Sequence, residues 1–253
     1  TNQSSCLDAE WGFYVSEPGS SSQTPCGLGT YNPNNASQSL SDCLPSQPGF
    51  YVPTEGSHSE TPCAAGTYQP STGQSACLDA DAGHYVPSTG QSSQTACAAG
   101  TYNPDTGSSE ASACLDADAG HYVDSTASTS QTACAAGTYQ PSTGQSACLD
   151  ADAGHYVASE GSSSQTACTA GAYQPSTGQT SCIDASAGHY VDSTASTSQT
   201  ACATGTYQPS TGQSACLDAD AGHYVDSTAA TSQTPCAAGT YNSNSGSITS
   251  SAC

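Results

Sequence analysis

Cys134-Ala-Ala-Gly-Thr-Tyr139-Gln-Pro-Ser-Thr-Gly144-Gln-Ser-Ala-Cys148 is the stretch on which the fold turns. Two cysteines enclose it, and Gly137-Thr138-Tyr139 sits just inside the first. Thr138 to Gln140 and Gln145 to Cys148 read as short extended segments. Pro141 suits position i+1 of a type I turn, and Gly144 supplies the positive φ that closes a bulged hairpin. Outward from this stretch the chain copies it. All 14 tyrosines lie in Gly-x-Tyr, from Tyr14 to Tyr241, spaced by 17 residues except for two steps of 20, Tyr31 to Tyr51 and Tyr102 to Tyr122. The 253 residues therefore read as a single tandem array (1–253) of fourteen β-hairpin modules of about 17 residues. No segment shows a 3.6-residue apolar period, so almost no helix is expected.

The modules alternate. One type carries a cysteine three residues before its Gly and closes with another 14 or 17 residues after the first. Its pairs are Cys26 with Cys43, Cys63 with Cys77, Cys97 with Cys114, Cys134 with Cys148, Cys168 with Cys182, Cys202 with Cys216, and Cys236 with Cys253. The other type, Asp152-Ala-Gly-His-Tyr-Val157, has no cysteine. A rival connectivity joins Cys77 to Cys97 and so on, leaving Cys253 alone. The cysteine-free modules favour the first: Ala80 and Gln94 stand where its two cysteines would, as if one bridge had been replaced as a unit. Cys6 is left over, at the closing position of a module whose opening half is missing. It marks either a chain cut from a longer repeat or a bond to another subunit.

Composition points the same way. There are 15 cysteines, no Met, two Phe and one Trp. So little apolar area cannot offset the ordering entropy of the chain. Loop closure by disulfides, at roughly 2–4 kcal/mol each, must supply much of the stability, which implies an oxidising, extracellular or secretory setting. The expectation is a small disulfide-rich β fold, a solenoid-like rod. Sulfur cross-links would lie inside each hairpin and tyrosine rings between hairpins, for a length on the order of 150–200 Å. Lys and Arg are both absent against 21 Asp plus Glu, which excludes nucleic acid and anionic membranes as partners. No apolar run approaches the roughly 20 residues of a membrane span. No basic-then-apolar leader opens the chain, so it reads as mature or as a segment.

At these residues a family becomes visible. Cys-x-x-Gly-Thr-Tyr, a Pro/Gly turn and a closing Cys resemble the first disulfide loop of tumour necrosis factor receptor cysteine-rich domains. In tandem they resemble the ephrin-receptor-like cysteine-rich repeats. There Cys-x-x-Cys joins consecutive loops; Cys77-Leu-Asp-Ala80 keeps the spacing with the second cysteine replaced. The resemblance covers the whole chain and implies elongated extracellular modules and, for the receptors, protein-ligand binding. The chain departs from the family in lacking half the bridges.

No reaction chemistry stands out. Asp79-Ala-Asp81, repeated at Asp116/Asp118, Asp150/Asp152 and Asp218/Asp220, could contribute oxygens to calcium. The full calcium-loop spacing is absent, so turn capping is the preferred reading and no metal or other cofactor site is assigned. His84, His121, His155, His189 and His223 recur every 34 to 37 residues, a ladder rather than a cluster. No Ser/His/Asp set or phosphate loop can be distinguished, so the chain reads as not an enzyme. Ser/Thr richness suits O-linked sugars, and Asn35-Ala-Ser37 and Asn2-Gln-Ser4 match the N-glycosylation pattern. Trp11 replaces the usual Ala before Gly, either covering the end of the stack or marking a docking surface. The functional reading is an extracellular, acidic, glycosylated structural repeat protein. It would be a subunit of a fibre, filament or cell-surface coat that self-associates end to end or laterally. The alternative is a ligand-binding receptor or adhesin ectodomain.

Overall fold

The computed structural model describes residues 6–253. The described residues divide into two compact units, one running up to Ala117 and including 123–131, the other 118–122 with 132–253. Both are built from the same part. A two-residue strand containing the Tyr of Gly-x-Tyr pairs antiparallel with a two-residue strand beyond the loop, as in Thr138–Tyr139 with Leu149–Asp150. Thirteen such hairpins form among the described residues. The fourteenth Gly-x-Tyr, ending at Tyr241, forms no strand.

Two expectations about the hairpin need correction. The second strand is Leu149–Asp150, just past Cys148, and not the segment Gln145 to Cys148. The cysteine thus stands at the mouth of the strand pair. The bridge then ties the end of one hairpin to the next: Cys134 directly follows Thr132–Ala133, the second strand of the preceding hairpin. The three-residue insertions lie beyond the hairpin tips. They fold as single 3-10 turns, Leu40–Asp42 and Ala111–Ala113 in the first unit and Ser250–Ala252 in the second. Ser39 and Asp42 form a capping box around the first of these turns.

Nor do tyrosine rings make the core. The thirteen in strands are half-buried, and each faces Leu, Ile or Thr across its strand pair, as Tyr139 faces Leu149 and Tyr156 faces Thr166, while Tyr241 is exposed. Successive residues of a strand point to opposite sides, so the residue after each Tyr turns inward. There Val alternates with Asn or Gln: Val52, Gln69, Val86, Asn103 in the first unit, Gln140, Val157, Gln174, Val191 in the second, all buried. A second buried column alternates Cys with Ala just after the second strands, as at Cys134, Ala151, Cys168 and Ala185. Columns of small side chains suffice because each hairpin is held mostly through its backbone.

That holding is periodic. In the second unit the Gly154 amide donates to the Gln174 carbonyl of the next hairpin at 2.7 Å, and Val157 N–H donates to Gln179 O at 2.9 Å. Two hairpins on, the tip residue Ala195 donates to Cys168 O at 2.8 Å. The first unit repeats the scheme with Gly49 to Gln69, Val52 to Gln74 and Gly90 to Cys63. Within each unit a hairpin therefore engages the next two. The glycine of Gly-x-Tyr is what allows it: Gly154 has φ +84°, and a Cβ there would overlap the Ala195 carbonyl oxygen.

Candidate functional site

The chain's recurring chemistry sits at the junctions between hairpins, which come in two forms that alternate. In one form a disulfide closes the junction. The structure joins Cys26 to Cys43, Cys63 to Cys77 and Cys97 to Cys114 in the first unit. In the second it joins Cys134 to Cys148, Cys168 to Cys182, Cys202 to Cys216 and Cys236 to Cys253. Cα–Cα distances are 5.5–5.8 Å, within the ordinary range for unstrained bridges.

The other form is a side-chain clamp. Gln94 stands at the position of a closing cysteine. Its Oε1 accepts from the Asp81 backbone N–H at 2.7 Å, and its Nε2 donates to the Asp81 carboxylate at 2.6 Å. Gln165 with Asp152 and Gln233 with Asp220 repeat both bonds, and Gln23 with Glu10 does so at 2.8 and 3.1 Å. Ser186 takes the Asp role toward Gln199. In one junction the residues are exchanged: Glu60 stands in the Gln position and accepts from the Gln47 N–H at 2.7 Å. Such charge-assisted bonds are stronger than neutral ones and hold a junction without sulfur.

The clamp explains the Asp-x-Asp repeat. Asp81, Asp152 and Asp220 serve their glutamines, while Asp79, Asp150 and Asp218 lie in strands opposite Thr67, Thr138 and Thr206. Among the described residues no group of three or more His, Cys, Asp or Glu is placed to hold a metal ion. The buried amides have a local task. Gln140 donates to Ala147 O at 2.7 Å and accepts from Ser142 N–H, fixing its own tip. Asn103 reaches back to His84 O in the preceding hairpin at 2.9 Å.

The repeated histidines are half-buried strand residues. Each Nδ1 lies 3.3–3.5 Å from the carbonyl oxygen two residues earlier, as His84 to Ala82 and His155 to Ala153. Phe13 and Phe50 hold the same position in two modules. Cys6 is unpaired and exposed, Asn35 is exposed at a hairpin tip, and Asn2 lies outside the described residues.

One place breaks the pattern. Trp11 is 59% exposed, and its ring meets that of His58 at 6.2 Å between centroids, tilted by 39°. With Asp8, Ala9, Glu10 and Asn35 they line an open cleft of about 430 Å³ in the first unit. The sequence reading noticed Trp11 but not His58. Their meeting depends on the contact between a hairpin and the second one after it, which spacing alone does not reveal.

A family model described as tyrosine-protein kinase ephrin type A/B receptor-like matches residues 120–168 and again 154–202. The two matches start 34 residues apart, at Gly120 and Gly154, so one family repeat spans a disulfide junction and a clamp junction together. No curated protein matches the chain. Such repeats are typical of extracellular receptor-like ectodomains. Residues 120–202 are thus similar to ephrin-receptor-like cysteine-rich repeats, and the same pattern of hairpins and disulfides continues on both sides of them.

Proposed function

We propose that this chain is an extracellular structural protein, a glycosylated array that self-associates into a fibre, filament or surface coat. The observation that carries the reading is the repeated lock of each hairpin onto the next two, made by nearly identical residues along both units. Such uniformity suits a scaffold. A half-exposed apolar residue follows the closing cysteine at six disulfide junctions, Leu44, Leu78 and Leu115 in the first unit and Leu149, Ile183 and Leu217 in the second. This column supports lateral packing between chains. Cys6 supports a bond to another subunit, and the exposed Ser/Thr-rich tips support sugar attachment. The test is extraction of the native material. Release from a surface or matrix fraction only by reductant and chaotrope, with Cys6→Ser lowering the cross-linked fraction, fits the proposal. A chain found freely soluble, monomeric and without Cys6 cross-links overturns it. A second reading, a ligand-binding or adhesive ectodomain, is favoured by one observation: two departures from the repeat, Trp11 and His58, meet in one cleft.

A further inference from the structure

We propose that the cleft of Trp11, Asn35 and His58 is a seat for a saccharide. Internal comparison of the modules carries the argument. The residue before Gly in the cysteine-free modules is Ala82, Ala119, Ala153, Ala187 and Ala221, and Pro48 in one; only the first has Trp11. The position of His58 is held elsewhere by Ser21, Ser92, Thr129, Ser163, Thr197 and Thr231. Two departures in modules two apart would scatter if they were neutral. Here they touch, because the Gly56 tip that carries His58 packs over Gly12, next to Trp11. Asn35 enters from the hairpin between them, on the tip that precedes a three-residue insertion. Three consecutive hairpins thus give one cleft an indole, an imidazole and an amide, rimmed by the Asp8 and Glu10 carboxylates.

That donor set selects the ligand. An exposed indole face covers the apolar face of a pyranose ring, while imidazole, amide and carboxylate exchange hydrogen bonds with hydroxyls and an acetamido group. The acids do not single out a cationic ligand, since a pair of carboxylates recurs in these places at most such junctions, as Asp79 and Asp81 do, and Glu10 is already clamped by Gln23. What is special to this cleft is its pair of aromatic rings, Trp11 and His58. Its volume, about 430 Å³, falls in the usual range for small-ligand sites. The sugar has two sources, an N-linked chain on Asn35, which heads Asn35-Ala-Ser37, or a glycan from outside. The inference bears on the ligand-binding reading and stands apart from fibre formation.

Trp11 is the only tryptophan, so its fluorescence reports on this cleft alone. The chain made in an oxidising bacterial periplasm, without N-linked sugar, is titrated with N,N′-diacetylchitobiose. A saturable blue shift of Trp11 emission is expected, lost in His58→Ser, which restores the residue of other modules and so keeps the fold. Calorimetry of Trp11→Ala, again a residue native to the repeat, is expected to lose the heat of binding. The chain secreted from a glycosylating eukaryotic host is then compared with its Asn35→Gln variant. If Asn35 supplies the sugar, the parent is blue-shifted and indifferent to added disaccharide, while the variant responds. If the sugar is external, both respond alike. Emission unchanged in the titration and unchanged between parent and variant overturns the proposal, as does a titration response that survives His58→Ser undiminished.

Discussion

Gly154→Ala should open the array locally, and three glycines separate the reasons. The alanine Cβ would overlap the Ala195 carbonyl oxygen in the hairpin two along, and φ at Gly154 is +84°. The left-handed conformation costs a non-glycine residue about 1–2 kcal/mol. Relieving the overlap pushes the Ala195 tip away, which loses the Ala195 N–H to Cys168 O bond, about 1 kcal/mol, and adds packing strain of about 1–3 kcal/mol. The total is about 3–6 kcal/mol. Gly222 is the same motif glycine, φ +81°, with nothing within 4 Å of an added Cβ. Gly222→Ala should therefore show the conformational cost alone, about 1–2 kcal/mol. Gly27 is exposed, outside the left-handed region and equally free of neighbours, so Gly27→Ala should fall within about 0.5 kcal/mol of the parent. Amide hydrogen exchange reads the effects locally, at the Cys168 N–H that donates to Gly154 O and at the Cys236 N–H that donates to Gly222 O. Protection at Cys168 should fall by roughly thirtyfold or more beyond the fall at Cys236, about 2 kcal/mol. Equal losses in the two variants would refute the contact between a hairpin and the second one after it.

Other expectations follow from the junctions. Gln165→Ala leaves the Asp152 N–H and carboxylate without their partner and should cost about 1–2 kcal/mol in denaturant unfolding. Gln165→Glu should be at least as damaging, because two carboxylates face each other. Adding Asp152→Gln should recover most of the loss, since Gln47 and Glu60 already show that arrangement. Ala80→Cys with Gln94→Cys should oxidise to a new bridge and raise stability by about 3 kcal/mol; thiols that stay free under oxidising conditions would contradict the equivalence of clamp and disulfide. Ala229 holds φ +55° at a tip where most modules have Gly. Ala229→Gly should be neutral to stabilising by about 1 kcal/mol in thermal unfolding, and clear destabilisation would count against a strained tip.

Much of the fold is legible in the residues. Gly-x-Tyr at a fixed spacing gives the number and size of the parts, and the lack of a 3.6-residue period gives the absence of helix. The strand bounds are not legible, because a two-residue strand such as Leu149–Asp150 carries no alternation to read. The inward face was misassigned to Tyr139, whose neighbour Gln140 is buried instead; a polar residue in a core position is visible only once its partners Ala147 and Ser142 are. The clamp hides for a related reason. Gln94 is one of many polar residues, and its partner Asp81 is offset by one from the cysteine position it replaces. The exchange of roles at Gln47 and Glu60 was the one signal in the sequence that could have exposed it. The contact between Trp11 and His58 has no sequence signal beyond two simultaneous departures, and it needs the register of three hairpins to bring them together.

The account stands on each disulfide junction being closed by its own cysteine pair, and digestion of the unreduced chain by a protease cutting before aspartate tests this most directly. The cuts release residues 124–149 with Cys134 and Cys148, and residues 152–183 with Cys168 and Cys182. The account predicts two separate peptides, each lighter by the two hydrogens lost on oxidation. A single species in which Cys148 is joined to Cys168 would contradict it.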